Sequence, residues 1–268
     1  MHVWGNPWAR PDPRVSRVRA ELGGIDWVGR AHSGPCFLLQ SLAGWWGGGA
    51  VSGGAVAHPN SDGGIRGDVN FHGRIITLRG KILTDDGAQQ MDAFDELTGV
   101  FAERRWRTLT VDEPERGMAR CLDVTPVSLP ELTPVTDKVA EVSLTVESAT
   151  FPLLDITEQS AVITNAGVSL TNHGNYPAEL VVEMRGPLSR PVVLDWGAGK
   201  WNFAASVGAS QAIDVNMEKR LITSPDSTDH YRQYATGQWL ALPPGTTTVR
   251  HVGGGSGSLR AVWRSSWS

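Results

Sequence analysis

From residue 74 to residue 83 the chain alternates. Ile76, Leu78 and Ile82 fall on one parity, and Ile75, Thr77, Arg79 and Lys81 fall on the other. A two-residue period sends successive side chains to opposite faces of a strand, so one face is prepared for burial. The same period returns at 139–146, 178–185 and 259–263. Gly80 interrupts the first of these strands, which predicts a bulge or a close backbone approach there. A single stretch follows the other period: Met91, Phe94, Leu97 and Phe101 recur at spacings of three and four. That spacing predicts a helix with those four residues on its core face. Asp85 or Asp86 is its N-terminal cap, its end lies near Trp106, and Arg104, Arg105 and Arg107 sit at its C-terminal end. The chain is therefore predicted to be mainly β with one helix.

Turn chemistry divides the remainder. Thirty-one glycines and sixteen prolines mark many turns. Short strands are predicted at 15–22 and 25–30 around Gly23-Gly24, and a buried strand at 36–42. The run Gly44-Trp-Trp-Gly-Gly-Gly-Ala-Val-Ser-Gly-Gly54 predicts a loop or close backbone packing. If it is extended, Trp45 and Trp46 point to opposite sides, and at least one faces solvent or a partner unless both sides are covered. A hairpin follows, with arms at 108–112 and 118–127 around a turn at 113–117. Phe151-Pro152 ends the strand pattern and places a domain boundary, giving domains 1–152 and 153–268. Beyond it, turn signals every eight to twelve residues predict an all-β sandwich, with strands at 162–170, 178–185, 213–215, 239–242, 246–252 and 259–263.

Little in the chain suggests site chemistry. The formal net charge is -4, and tight binding of nucleic acid needs clustered cations. The basic run Arg10, Arg14, Arg17, Arg19 reads as a solvated strand edge or as an arm for an acidic neighbour. Cys36 and Cys121 are the only cysteines. They make no disulfide framework and no short-spaced metal site, and they read as buried or free thiols. No nucleophile elbow, zinc-protease helix, phosphate loop or dinucleotide loop is present, so no cofactor and no catalytic residue is predicted. His58 and His72 flank Asp62 and Asp68, and Asp226, Asp229 and His230 share a loop; each reads more simply as polar loop than as a ligand set. No basic start, apolar leader or membrane-length apolar run is found, which predicts a soluble chain that does not meet a membrane.

The polar, glycine-rich stretch 58–67 leading into the strand at 74–83 resembles the core of the siphophage distal tail protein family. The C-terminal half is similar to that family's second domain in an ordered set of pieces. These are Thr171-Asn-His-Gly-Asn-Tyr-Pro-Ala178, the strand ending at Gly186, Ile213-Asp-Val215, Trp239-Leu-Ala-Leu-Pro-Pro-Gly245, and Ala261-Val-Trp-Arg-Ser-Ser-Trp267. The resemblance covers most of residues 58–268 and carries little of 1–57. It implies an N-terminal α+β domain, a tail-tube-like β-sandwich with one helix, followed by a galectin-like β-sandwich. It also implies a non-enzymatic virion protein made in the host cytoplasm. Such a protein forms a homo-oligomeric ring, a hexamer, between the tail tube and the tail-tip or hub proteins. The alternative is a carbohydrate-binding or host-recognition tail protein. For the ring interface the candidates are Trp4, Trp8, Trp45 and Trp46 as apolar anchors, with Arg10 and Arg14 as a polar rim.

Overall fold

The computed structural model describes residues 16–28, 36–47, 49, 51–57, 62, 64–224 and 231–268. The chain divides into two compact units, Met1–Leu153 with Ser268, and Leu154–Trp267.

The first unit contains strands β1 (Arg19–Leu22), β2 (Ile25–Val28), β3 (Cys36–Ala43), β4 (Val51–Ala57), β5 (Gly64–Phe71), β6 (Ile75–Leu83), β7 (Arg107–Glu113), β8 (Met118–Pro126), β9 (Glu131–Pro134) and β10 (Val139–Ser148), and one helix, α1 (Gly87–Gly99). Seven strands run in the order β8-β7-β1-β2-β3-β6-β10. The ends of this row meet, because Val146, Glu147 and Ser148 of β10 pair with Pro126, Thr125 and Val124 of β8. The expected N-terminal sandwich is thus a closed barrel. β10 is long enough to hold β6 along most of its length and still reach β8 at its end, and closure leaves no open edge within the ring of strands. β9 lies outside the ring on β10, and β4 and β5 form a separate two-stranded ribbon.

The alternation read at 74–83 decides which side chains fill the barrel. Ile76, Leu78 and Ile82 are buried and stand opposite Val146, Leu144 and Ala140, which are buried too. Each aliphatic side chain so buried contributes about 1.5–3 kcal/mol. At Gly80 the backbone of β3 comes close. A Cβ there would lie 2.0 Å from the Leu38 carbonyl oxygen. The β3–β6 register slips between Leu39 and Ser41. That slip lets Leu39 and Leu42, three residues apart, both point inward at 0% and 2% exposure.

α1 begins as the sequence implies, with the Asp86 carboxylate accepting from the Gln89 N–H at 2.9 Å. Its end differs, and so does one of the four face residues: Leu97 and Phe101 are buried and Phe94 is half-buried, but Met91 is exposed. The helix stops at Gly99, well before Trp106, and no basic residue lies in its last turn. The buried face is Gln90 and Leu97 with half-buried Ala93 and Phe94, one position away from Met91, which is 47% exposed. Gln90 is tolerated inside because its amide donates to the Thr136 carbonyl at 3.2 Å. Arg107 caps the helix from outside it: its Nε donates to the Val100 carbonyl at 3.0 Å.

β11 (Leu153–Asp155) spans the division between the units. The second unit holds β12 (Gln159–Ile163), β13 (Val168–Asn172), β14 (Leu180–Arg185), β15 (Val192–Asp195), β16 (Lys200–Phe203), β17 (Ala212–Asn216), β18 (Leu221–Thr223), β19 (Ala235–Gly237), β20 (Gly245–Val252), β21 (Ser258–Trp263) and β22 (Ser266–Trp267). Two five-stranded antiparallel sheets, β12-β21-β14-β17-β18 and β13-β20-β15-β16-β19, share one core. Leu180, Val182, Met184, Ile213 and Val215 enter it from the first sheet, and Leu170, Val192, Leu194, Trp201, Phe203 and Val249 from the second. The strand expected at 162–170 is two strands in two sheets. Gly167, with φ +93°, makes the turn between them, and its N–H returns to the Thr164 carbonyl at 3.1 Å. The strand expected at 239–242 is absent as such: Leu242 alone bridges to Ala178. Pro243 and Pro244 offer no ladder donors, and Trp239 instead sets its ring edge-on to Trp201, 5.7 Å between centroids.

Candidate functional site

Of the six interface candidates, Trp4, Trp8, Arg10 and Arg14 lie outside the described residues, as do His58, Asp226, Asp229 and His230. The structure brings Trp45 and Trp46 together. The chain turns at 44–47 instead of extending, so successive indoles do not diverge. Both converge on one carboxylate: Trp45 Nε1 donates to Glu113 Oε1 and Trp46 Nε1 to Glu113 Oε2, each at 3.1 Å. Trp45 has no exposed surface, whereas Trp46 is half-buried. Trp45 is therefore a core residue of its unit and presents nothing for a partner to grip.

Strand parity explains how an acid comes to be inside a barrel. Glu113 ends β7 on the same face as Leu109 and Val111. Arg120 sits on β8 on the face of Leu122 and Val124, directly opposite Val111. Glu113 and Arg120 are therefore diagonal neighbours on the inner face. The Arg120 Nε donates to Glu113 Oε1 at 2.9 Å, and its Nη2 binds the same oxygen. Arg116 adds a contact to Oε2 at 3.5 Å. Both side chains of the Glu113–Arg120 pair are 4% exposed. The Arg120 guanidinium also lies 5.8 Å from the centre of the Trp45 ring.

Arg74, just before β6, extends this cluster. It is 1% exposed. Its Nε donates to the Phe151 carbonyl at 2.8 Å, and its Nη1 to the carbonyls of Trp45, at 3.1 Å, and Gly47. Its cation faces the Phe151 ring at 5.1 Å. Nη2 has no hydrogen-bond partner among the described residues. Burial draws the Arg74 pKa down and neighbouring Arg120 adds to this, yet a guanidinium remains charged. Backbone carbonyl oxygens solvate it, and those of Trp45 and Gly47 tie the 44–47 turn to the barrel.

Burial alone would push the Glu113 carboxyl up. Hydrogen bonds from Arg120, Trp45 and Trp46 outweigh it and hold the pKa below the usual 4.5. A carboxyl with a folded pKa below its unfolded one stabilises the fold above the unfolded value, and that contribution disappears as pH falls through the folded value. The stability advantage of the wild type over Glu113→Gln is therefore expected to shrink as pH drops below 4.5. Denaturant unfolding of both proteins across the acid range measures it; a gap that stays constant down to about pH 3, more than a unit below that value, refutes the assignment.

With both oxygens occupied by indole and guanidinium donors, Glu113 has no lone pair free for acid–base work. The cluster serves as a clasp between the 44–47 turn and the barrel. Beside it opens a cavity of about 230 Å³, walled by Val18, Trp46 and Pro114 and edged by Arg17 and Arg116. In the second unit Asp195 is similarly saturated, by the Gly197 N–H at 2.9 Å and the Arg250 Nη2 at 2.7 Å. These partners, the backbone N–H first, hold its pKa down to about 2. No cluster of three metal-ligating side chains occurs among the described residues. Sequence reading missed Glu113, Arg120 and Arg74 because each stands in a turn or an apolar alternation. Their partners are 68, 7 and 29 residues away, and no local spacing signals such pairings.

No protein-family model matches the sequence, and no curated protein matches it. Solved structures do. The baseplate of phage P2 in its activated conformation matches at a TM-score of 0.47, with 8% identity over 91% of this chain and 97% of that chain in the form with Ca. The form with Sr matches at 0.47 and 7%. Likeness at that level is too slight to establish a shared fold. The SPP1 Dit (gp 19.1) protein, described as a paradigm of the hub adsorption apparatus in phages infecting Gram-positive hosts, matches at a TM-score of 0.68 with 12% identity. That match covers 94% of this chain and 99% of the SPP1 protein. Through both of its units, this chain has the fold of a phage Dit protein.

Proposed function

We propose that the protein is a distal tail protein, a structural and non-enzymatic component of a long non-contractile phage tail tip. In this reading six copies form a ring that joins the tail tube to the tail-tip and host-adsorption apparatus. Residues 1–152 build the ring, and residues 153–268, read as a galectin-like sandwich, decorate its outside. The protein is made in the host cytoplasm and resides in the virion. The observation that supports this most is the likeness to SPP1 Dit across 94% of this chain and 99% of that one; it is a likeness of fold, and the role is carried over by analogy. The saturated Glu113 clasp agrees with a scaffold role, because its polar groups are spent tying the 44–47 turn to β7 and β8. Half-buried Trp46 stays an interface candidate with Trp4, Trp8, Arg10 and Arg14.

Light scattering and electron micrographs of the purified protein test the ring. The expected mass is about six times the 28.9 kDa of one chain, with annular particles. A monomer at tens of micromolar, both alone and co-expressed with tail-tip proteins, would refute the proposal.

A further inference from the structure

The first unit carries an exposed aromatic knob and a groove that suits it. The knob is Trp106, 51% exposed, in the loop between α1 and β7. Arg104 and Arg105 precede it and are exposed; neither guanidinium has an ion pair among the described residues. A hydrogen bond from the Arg104 N–H to the Phe101 carbonyl at 2.9 Å holds this loop in place. Arg104 itself has φ +53°, a left-handed conformation that disfavours a residue with a Cβ. Strain of this kind persists where the surroundings impose it, and it gathers at functional surfaces. An exposed tryptophan beside exposed arginines has the composition of an interface hot spot.

The groove lies between α1 and the barrel strands β3 and β6. Its volume is about 310 Å³, enough for an indole. Phe37, Ile82 and Leu83 form an apolar floor with Cys36, and Asp92 and Glu96 stand on the helix side. These two acids are four residues apart, on one helix face, and both are exposed. Like charges at that spacing repel, and the fold keeps them without a cation. The knob follows the C-terminal end of α1, whereas the groove is walled by Gln89, Asp92 and Glu96 along the helix. Knob and groove are thus different patches of one unit.

We infer that Trp106 of one copy inserts into the α1–β3–β6 groove of a second copy, with Arg104 and Arg105 facing that copy's Asp92 and Glu96. This rests on the ring reading and supplies a contact for it. Two different complementary patches on one subunit make a head-to-tail interface, which closes into a ring when the rotation allows. A second copy is the occupant because the chain itself bears both halves, with cations around the knob and carboxylates at the groove.

The test uses the full chain. Wild type is compared by light scattering with Trp106→Ala, with an Arg104→Glu/Arg105→Glu variant, and with an Asp92→Arg/Glu96→Arg variant. All substitutions are at exposed positions, and circular dichroism confirms folding. Trp106→Ala is expected to weaken association by at least about tenfold, as hot-spot truncation does. Each charge-reversed variant should fail to assemble alone. The two mixed together should assemble, since reversed knob then meets reversed groove and native meets native. Rings from all variants as readily as from wild type would overturn the inference while leaving the ring reading intact. Variants that form rings but lose a tail-tip partner would overturn it as well, by making that partner the occupant. A wild type that never self-associates removes both, and the wild-type measurement alone distinguishes that case.

Discussion

Glu113→Ala is expected to cost the barrel unit about 3–5 kcal/mol, the usual consequence of removing one partner from a buried ion pair. The reason lies in what remains. Arg120, 4% exposed, would keep its charge and lose its carboxylate, and the indole N–H groups of Trp45 and Trp46 would lose their shared acceptor. For a unit of this size such a loss lowers Tm by about 10 °C. Glu113→Ala combined with Arg120→Met is expected to lose much less than the two single losses added, because the double change removes both buried charges together. Thermal and denaturant unfolding of the four proteins gives the coupling directly. A single-variant loss below about 1 kcal/mol, within the range of an ordinary surface change, would show that the clasp holds nothing.

Gly80→Ala is the second large expectation, with a loss of about 3 kcal/mol, the upper part of the range for overpacking a well-filled core. The added Cβ would stand 2.0 Å from the Leu38 carbonyl oxygen. That atom belongs to backbone and cannot swing aside as a side chain would. Relief requires β3 to move, and β3 is held on both flanks, by β2 and β6. The slip at Leu39–Ser41 would have to straighten, and Leu39 and Leu42 could no longer both face inward. Gly24→Ala is the control. It has φ +92° and nothing within 4 Å of its Cβ, so it carries only the backbone term, about 1–2 kcal/mol. Equal losses at the two positions would refute the close-approach account of Gly80.

The amino-acid pattern by itself determined the local geometry. Period two at residues 75–83 and 139–148, one helical stretch capped at Asp86, the turn at 113–117 and the proline at 152 all reflect forces acting within a few residues: steric limits on φ and ψ, side-chain parity and capping. Gly80 belongs here too, since a glycine inside a strand announces that something comes close, though not what. Only the tertiary structure decided the rest, because it depends on which distant segments meet. The β8–β10 pairing turned an expected sandwich into a closed barrel. Burial against the Thr136 carbonyl chose Gln90 over Met91 for the inner face of α1. A turn at 164–167 divided one alternating run between two sheets. Glu113 became the acceptor for two indoles 67 and 68 residues away. Parity specifies that a side chain points inward; only closure of the barrel specifies what it finds there.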